Sequence, residues 1–89
     1  MNTAFLLMAQ YDGAAVIPLE KLCRDYFSHL TPTQFARRAT EGEIDIPVIR
    51  IEGSQKAAKG VHLSDLAAYI DARRAAAQKE NNQLQGRRT

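Results

Sequence analysis

The chain has 89 residues, a formal net charge of +2 and a single cysteine. That length limits it to one small core and leaves no room for a separate catalytic domain. A lone Cys23 excludes an internal disulfide and fits a reducing compartment, and no stretch approaches the roughly 20 apolar residues of a membrane span.

Charge is placed late and locally. Residues 1–30 carry two basic and three acidic side chains, whereas residues 61–89 carry five and three. Between them, Gly53 to Gly60 holds Lys56 and Lys59 and no acid. The apolar opening, Thr3 to Ala9, lacks the basic leading residues of a signal sequence, so a cytoplasmic protein is expected.

In chain order, Thr3–Tyr11 is a nearly unbroken apolar run, ambiguous between buried strand and buried helix. Asp12-Gly13 follows as a turn signal, and Ala14–Ile17 is able to pair back, so a short N-terminal β-hairpin is expected. Pro18 then opens a helix with Leu19, Leu22, Cys23, Tyr26 and Phe27 on one stripe, running to Phe27 or Ser28. Cys23 reads as a buried small hydrophobe. After Ser28-His29-Leu30 comes the strongest start signal in the chain. Thr31-Pro32-Thr33-Gln34 is a capping box with proline at the first helical position, and Gly42 is the stop.

The period then changes to two through Ile44-Asp45-Ile46 and Val48–Ile51. Val61-His62-Leu63 is the returning strand, so residues 48–63 read as a hairpin with a basic tip at 53–60. Ser64 is expected to cap a last helix that stops between Lys79 and Asn82. The organisation is one domain over 1–82 and a disordered basic tail over 83–89. The expected core draws Leu19, Leu22, Cys23, Tyr26 and Phe27 from the first helix and Phe35 and Ala39 from the second. The hairpin adds Val48, Ile49 and Ile51, and the last helix adds Leu66 and Ile70.

Helix, tight turn, capped helix, hairpin, helix is the order of a winged helix-turn-helix in a small α+β fold. The helix over about 31–41 is the recognition helix, presenting Thr33, Gln34, Arg37 and Arg38 to base edges in the major groove. Arginine pairs bidentately with guanine and glutamine with adenine, although a Gln34 committed to the capping box could not also read a base. The wing tip offers Ser54, Gln55, Lys56 and Lys59 to the backbone or the minor groove. No paired carboxylates sit beside a base, no His/Cys/Asp cluster has metal spacing, and no glycine-rich phosphate loop follows a strand. An enzyme, a metal site and a cofactor are therefore not expected.

Several strings are distinctive: Asn2-Thr3-Ala4-Phe5-Leu6-Leu7-Met8-Ala9-Gln10-Tyr11, Cys23-Arg24-Asp25-Tyr26-Phe27 with His29-Leu30-Thr31-Pro32, Ser54–Leu63, and Asp65-Leu66-Ala67 through Ile70–Arg74. In this order they resemble the pyocin activator protein PrtN family over nearly the whole chain. The resemblance implies an activator that switches on pyocin (bacteriocin) genes from repeated promoter elements, made when a DNA-damage-sensitive repressor is inactivated. The helix, wing and following helix also look like the MerR and excisionase type of winged domain, which is an analogy of fold. Double-stranded promoter DNA is the expected partner, with RNA polymerase as a further candidate.

Two other readings stand beside the activator: an excisionase-like architectural protein that bends DNA, and a protein-binding anti-repressor or adaptor. A homodimer or higher homo-oligomer is expected, through edge pairing of Thr3–Ala9 or through the Ala-rich part of the last helix.

Overall fold

Asn2 turns the apolar opening into a helix rather than a strand. Its side chain accepts the Ala4 N–H at 2.8 Å, and α1 spans Thr3–Gln10 in the computed structural model, which describes residues 2–54 and 56–86. Ala, Leu, Met and Gln are all strong helix formers, so local propensity supports this outcome. The Asp12-Gly13 signal is real but serves a different element. Both residues have positive φ, 58° and 79°, as a hairpin turn would need, yet they end a helix: the Gly13 N–H donates to the Met8 carbonyl at 2.8 Å. The expected hairpin of 3–11 with 14–17 is thus absent, and with it any strand edge at Thr3–Ala9.

A short N-terminal β element does form, as β1 (Val16–Pro18), but its partner lies far along the chain. β2 (Ile49–Arg50) and β3 (Lys59–His62) complete a three-stranded antiparallel sheet in the order β1-β3-β2. Val16 faces His62 and Ile17 faces Val61 on one side of β3; Ile49 faces Gly60 and Arg50 faces Lys59 on the other. The Ile51 N–H bonds the Ala58 carbonyl at 3.0 Å, which carries the β2–β3 ladder one step towards the tip.

The helices match the expected pattern with small shifts. α2 (Leu19–Tyr26) follows β1 directly, with Pro18 as its N-cap rather than its first helical residue. α3 (Pro32–Thr40) starts at Thr31 and hands over to Gly42, whose φ is +80°. α4 runs from Leu63 to Gly86, 24 residues, so 83–86 extend the helix where a tail was expected; residues 87–89 lie outside the described residues. Ser64 does not cap α4. Its N–H instead donates to His62 Nδ1 at 3.0 Å, while the Leu63 N–H donates to the Ala15 carbonyl at 2.8 Å.

These elements give a small α+β fold compatible with a winged helix-turn-helix. Its core contains Leu19, Leu22, Cys23, Phe27, Phe35 and Leu66 as expected, and also Leu7, Ile17, Leu30, Ile44, Ile46, Val61, Leu63 and Ala67. Ile44 and Ile46 alternate inward without belonging to a strand. Of the other expected core residues, Ala39, Val48 and Ile70 are half-buried against this cluster and Ile49 is half-buried, whereas Tyr26 is 39% exposed and Ile51 is 64% exposed. Ile51 sits beyond the last β2 residue, where the hairpin leaves the core. Tyr26 ends α2 and donates its hydroxyl to Gln10 Oε1 at 2.7 Å, tying α2 to α1.

α1 is tied down twice more. Thr3 Oγ1 donates to Asp71 of α4 at 2.6 Å, and the Tyr11 hydroxyl donates to Asp25 of α2 at 2.7 Å. Asp25 also accepts from Arg24 Nε at 2.9 Å, and first that guanidinium and then the Tyr11 hydroxyl hold its carboxyl below the ordinary value. Burial, followed by the Asp25 bond, pushes the Tyr11 hydroxyl up.

Two predictions follow from this packing. A Cβ on Gly60 would lie 2.6 Å from Val16 Cγ1 and 2.7 Å from the Ile17 carbonyl oxygen, and a backbone oxygen cannot swing aside. Gly60→Ala is therefore expected to cost about 1–3 kcal/mol in urea unfolding. Gly53→Ala, with nothing within 4 Å, is expected to stay within about 0.5 kcal/mol of the parent. A depressed folded-state pKa at Asp25 contributes stability that is fully present above the unfolded carboxylate value, about 3.9, and is lost as pH falls through the folded value. Asp25→Asn should accordingly make unfolding less steeply dependent on pH below about 5, with the parent falling faster.

Candidate nucleic-acid interface

α3, like α1, buries a single residue and turns most of its side chains outward. Phe35 is its one buried residue, and it meets Phe27 edge-on with ring centroids 4.9 Å apart. That single anchor leaves Thr33, Gln34, Arg37 and Arg38 all exposed. They do not share one face. Thr33 and Arg37, four residues apart, stand on the side that looks towards the wing. There they line a groove of about 530 Å³ with Pro32, Ala36, Ala57, Ala58 and Lys59, bordered by Glu20 and Glu41.

Gln34 and Arg38 occupy a neighbouring face. The capping box is complete: Gln34 donates its backbone N–H to Thr31 Oγ1 at 3.1 Å, and its side-chain Oε1 accepts the Thr31 N–H at 3.0 Å. A bidentate contact to adenine needs that same oxygen together with the amide nitrogen, so Gln34 cannot make it while it caps. Arg38 Nε lies 3.9 Å from Glu43 Oε2, with the two side chains 46% and 59% exposed. Exposed pairs of this kind contribute little to stability, so the guanidinium remains available for other contacts.

The wing divides in the same way. Ser54 Oγ accepts the Lys56 N–H at 3.1 Å and the Ser54 carbonyl accepts the Ala57 N–H at 3.1 Å, so Ser54 shapes the tip. Lys56 is exposed beyond it, and Gln55 lies outside the described residues. Lys59 is half-buried at the start of β3, on the groove shared with Arg37.

Arg50 was missed by the sequence reading. It is the register partner of Lys59, and directly opposed residues on antiparallel strands project to the same face. Both line a hollow with Ala36, Thr40 and Val48. Within a run of β-branched residues, Arg50 looks like the outward member of an alternating strand. Only the hairpin register, which pairs 49 with 60 and 50 with 59, brings it to the site. Like charges facing each other are unfavourable, and among the described residues neither cation has an ion-pair partner. An anion laid across the pair would relieve that repulsion.

Thr33 and Arg37 on α3 thus converge with Arg50 and Lys59 on the wing. Three further acids, Glu43, Asp45 and Asp65, line a separate hollow with Tyr69 and Arg73. Among the described residues no group of three or more His, Cys, Asp or Glu side chains is placed to hold a metal ion, and no helix is long and apolar enough to cross a membrane.

The model of one protein family, described as pyocin activator protein PrtN, matches residues 3–77 of the chain. No curated protein and no solved structure matches it. The matched span takes in α1, α2, α3, the wing and the first part of α4.

The capping box makes its own prediction. Thr31→Ala removes the acceptor of the Gln34 N–H and is expected to cost about 1 kcal/mol of stability. Gln34→Glu keeps an oxygen for the Thr31 N–H, as either residue serves at this position, and is expected to change stability by less than about 0.5 kcal/mol. Both are read from denaturant midpoints at constant slope.

Proposed function

The chain belongs to the pyocin activator protein PrtN family, and from that premise we propose that it activates pyocin genes by binding their promoter DNA as a homo-oligomeric winged helix-turn-helix protein. α3 enters the major groove. Arg37 reads a base edge, with guanine as the matching acceptor, and Thr33 makes a nearby polar or methyl contact. Lys59 and Arg50 lie against the backbone beside that groove, and Lys56 extends the contact along the strand or into the minor groove. Arg38 reaches a phosphate on the flank of α3. Gln34 holds the helix start in place and does not read bases.

The observation that carries this reading is that Arg37 of α3 and Arg50 of the wing line adjoining hollows that share Lys59. A family of activators gives that meeting of three cations a reason to exist. Glu20 and Glu41 on the rim repel phosphate, which restricts how the duplex can be seated and favours one orientation of α3. The activity proposed is binding and recruitment, not catalysis.

The test is a salt titration of binding to a labelled pyocin promoter fragment and to a scrambled duplex of equal length. Arg37→Ala should weaken promoter binding by about 1–3 kcal/mol, roughly 5- to 150-fold, with little effect on the scrambled duplex. Arg50→Ala with Lys59→Ala should weaken both duplexes and reduce the salt slope by about 2. Promoter binding unchanged by all three substitutions would overturn the assignment of the interface.

A further inference from the structure

α4 outlasts the domain it belongs to. Leu63, Leu66 and Ala67 are buried and Tyr69 and Ile70 half-buried, but every residue from 71 to 86 is exposed. That exposed half would be about 24 Å long at 1.5 Å per residue. The docked turns from Leu63 to Ile70 nucleate this stretch, and its exposed length offers a surface to a partner.

One line along α4 is marked by Ile70, Ala77 and Leu84, spaced seven apart and so nearly aligned on the helix. Its two ends differ in a complementary way. At the Ile70 end, Tyr26, Phe27, His29, Leu66, Tyr69, Ile70 and Arg73 line a mostly apolar groove of about 290 Å³. At the other end, Leu84 stands 57% exposed. Groove and leucine are equidistant from Ala77, seven residues either way. Charge follows the same symmetry: Arg73 lies four residues before Ala77 and Glu80 three after it, on the same flank of the line. Neither forms an ion pair within the chain among the described residues.

We propose that two copies of this chain pair through antiparallel α4 helices about a two-fold axis at Ala77, each Leu84 seated in the groove at the other copy's Ile70. Arg73 then faces Glu80 of the partner subunit, and the alanine at the axis lets the two backbones approach closely. A two-fold contact uses one patch twice, so the patch must be self-complementary, and this line is. This deepens the homo-oligomeric part of the proposed function and rests on it, independently of which DNA is bound.

The experiment is sedimentation equilibrium of the full chain without DNA, with promoter binding measured separately. The parent should be a dimer. Leu84→Glu and Glu80→Arg should each weaken it at least tenfold with unchanged circular dichroism, since both positions are exposed. Arg73→Glu should restore dimerisation when combined with Glu80→Arg. Ala77→Cys should cross-link on oxidation, whereas Ala75→Cys, about 200° round the helix, should not. A monomeric parent overturns the proposal. So does a dimer indifferent to both Leu84→Glu and Glu80→Arg, whether or not promoter DNA is bound.

Discussion

Everything in this fold hangs on the close approach of β1 to β3 at Gly60. β3 is the central strand, and Pro18 of β1 and Ile49 of β2 both face Gly60. The missing side chain lets the Ile17 carbonyl and the Val16 methyl come nearer than any Cβ would allow. β1 leads straight into α2, β3 leads straight into α4, and β2 carries the wing. One glycine therefore sets where three functional elements stand relative to one another. Ile17 and Val61, paired across the same strands, are both completely buried and turn that geometry into core packing.

The site makes use of this rigidity in an unusual balance of charge. Arg50 and Lys59 oppose each other with no acid between them, and Arg37 approaches from α3. At the surface, such repulsion is a few tenths of a kcal/mol, small beside the burial that holds the sheet. The fold tolerates it because the ladder and the apolar pairs beneath fix the hairpin regardless. The cost is recovered only when an anion arrives, so the arrangement favours the bound state over the free one.

Much of this was legible in the sequence, and the failures share a cause. The capping box at Thr31 to Gln34, the stop at Gly42 and the α2 stripe, apart from the exposed Tyr26, are local signals, and each is where it is expected. What the sequence could not supply was pairing over distance. β1 was identified as a strand but given the wrong neighbour, because its partner lies more than forty residues away. Arg50 was overlooked because its place in the site depends on register. Asp12-Gly13 does adopt the left-handed backbone its composition demands, but a helix end and a hairpin turn demand the same backbone. Gln34 was read both ways, and its geometry favours the cap.

α3 joins stability to function more tightly than its length suggests. It has a single buried residue, so Phe35 against Phe27, together with the Thr31 cap, determines where Arg37 points. Phe27 also lies 5.9 Å from Tyr69, ring centre to ring centre, at the groove on α4. The same aromatic ring thus supports α3 on one side and borders the proposed seat for a second copy on the other. Seating a leucine against Phe27 would restrict that ring and, through Phe35, the helix that carries Arg37.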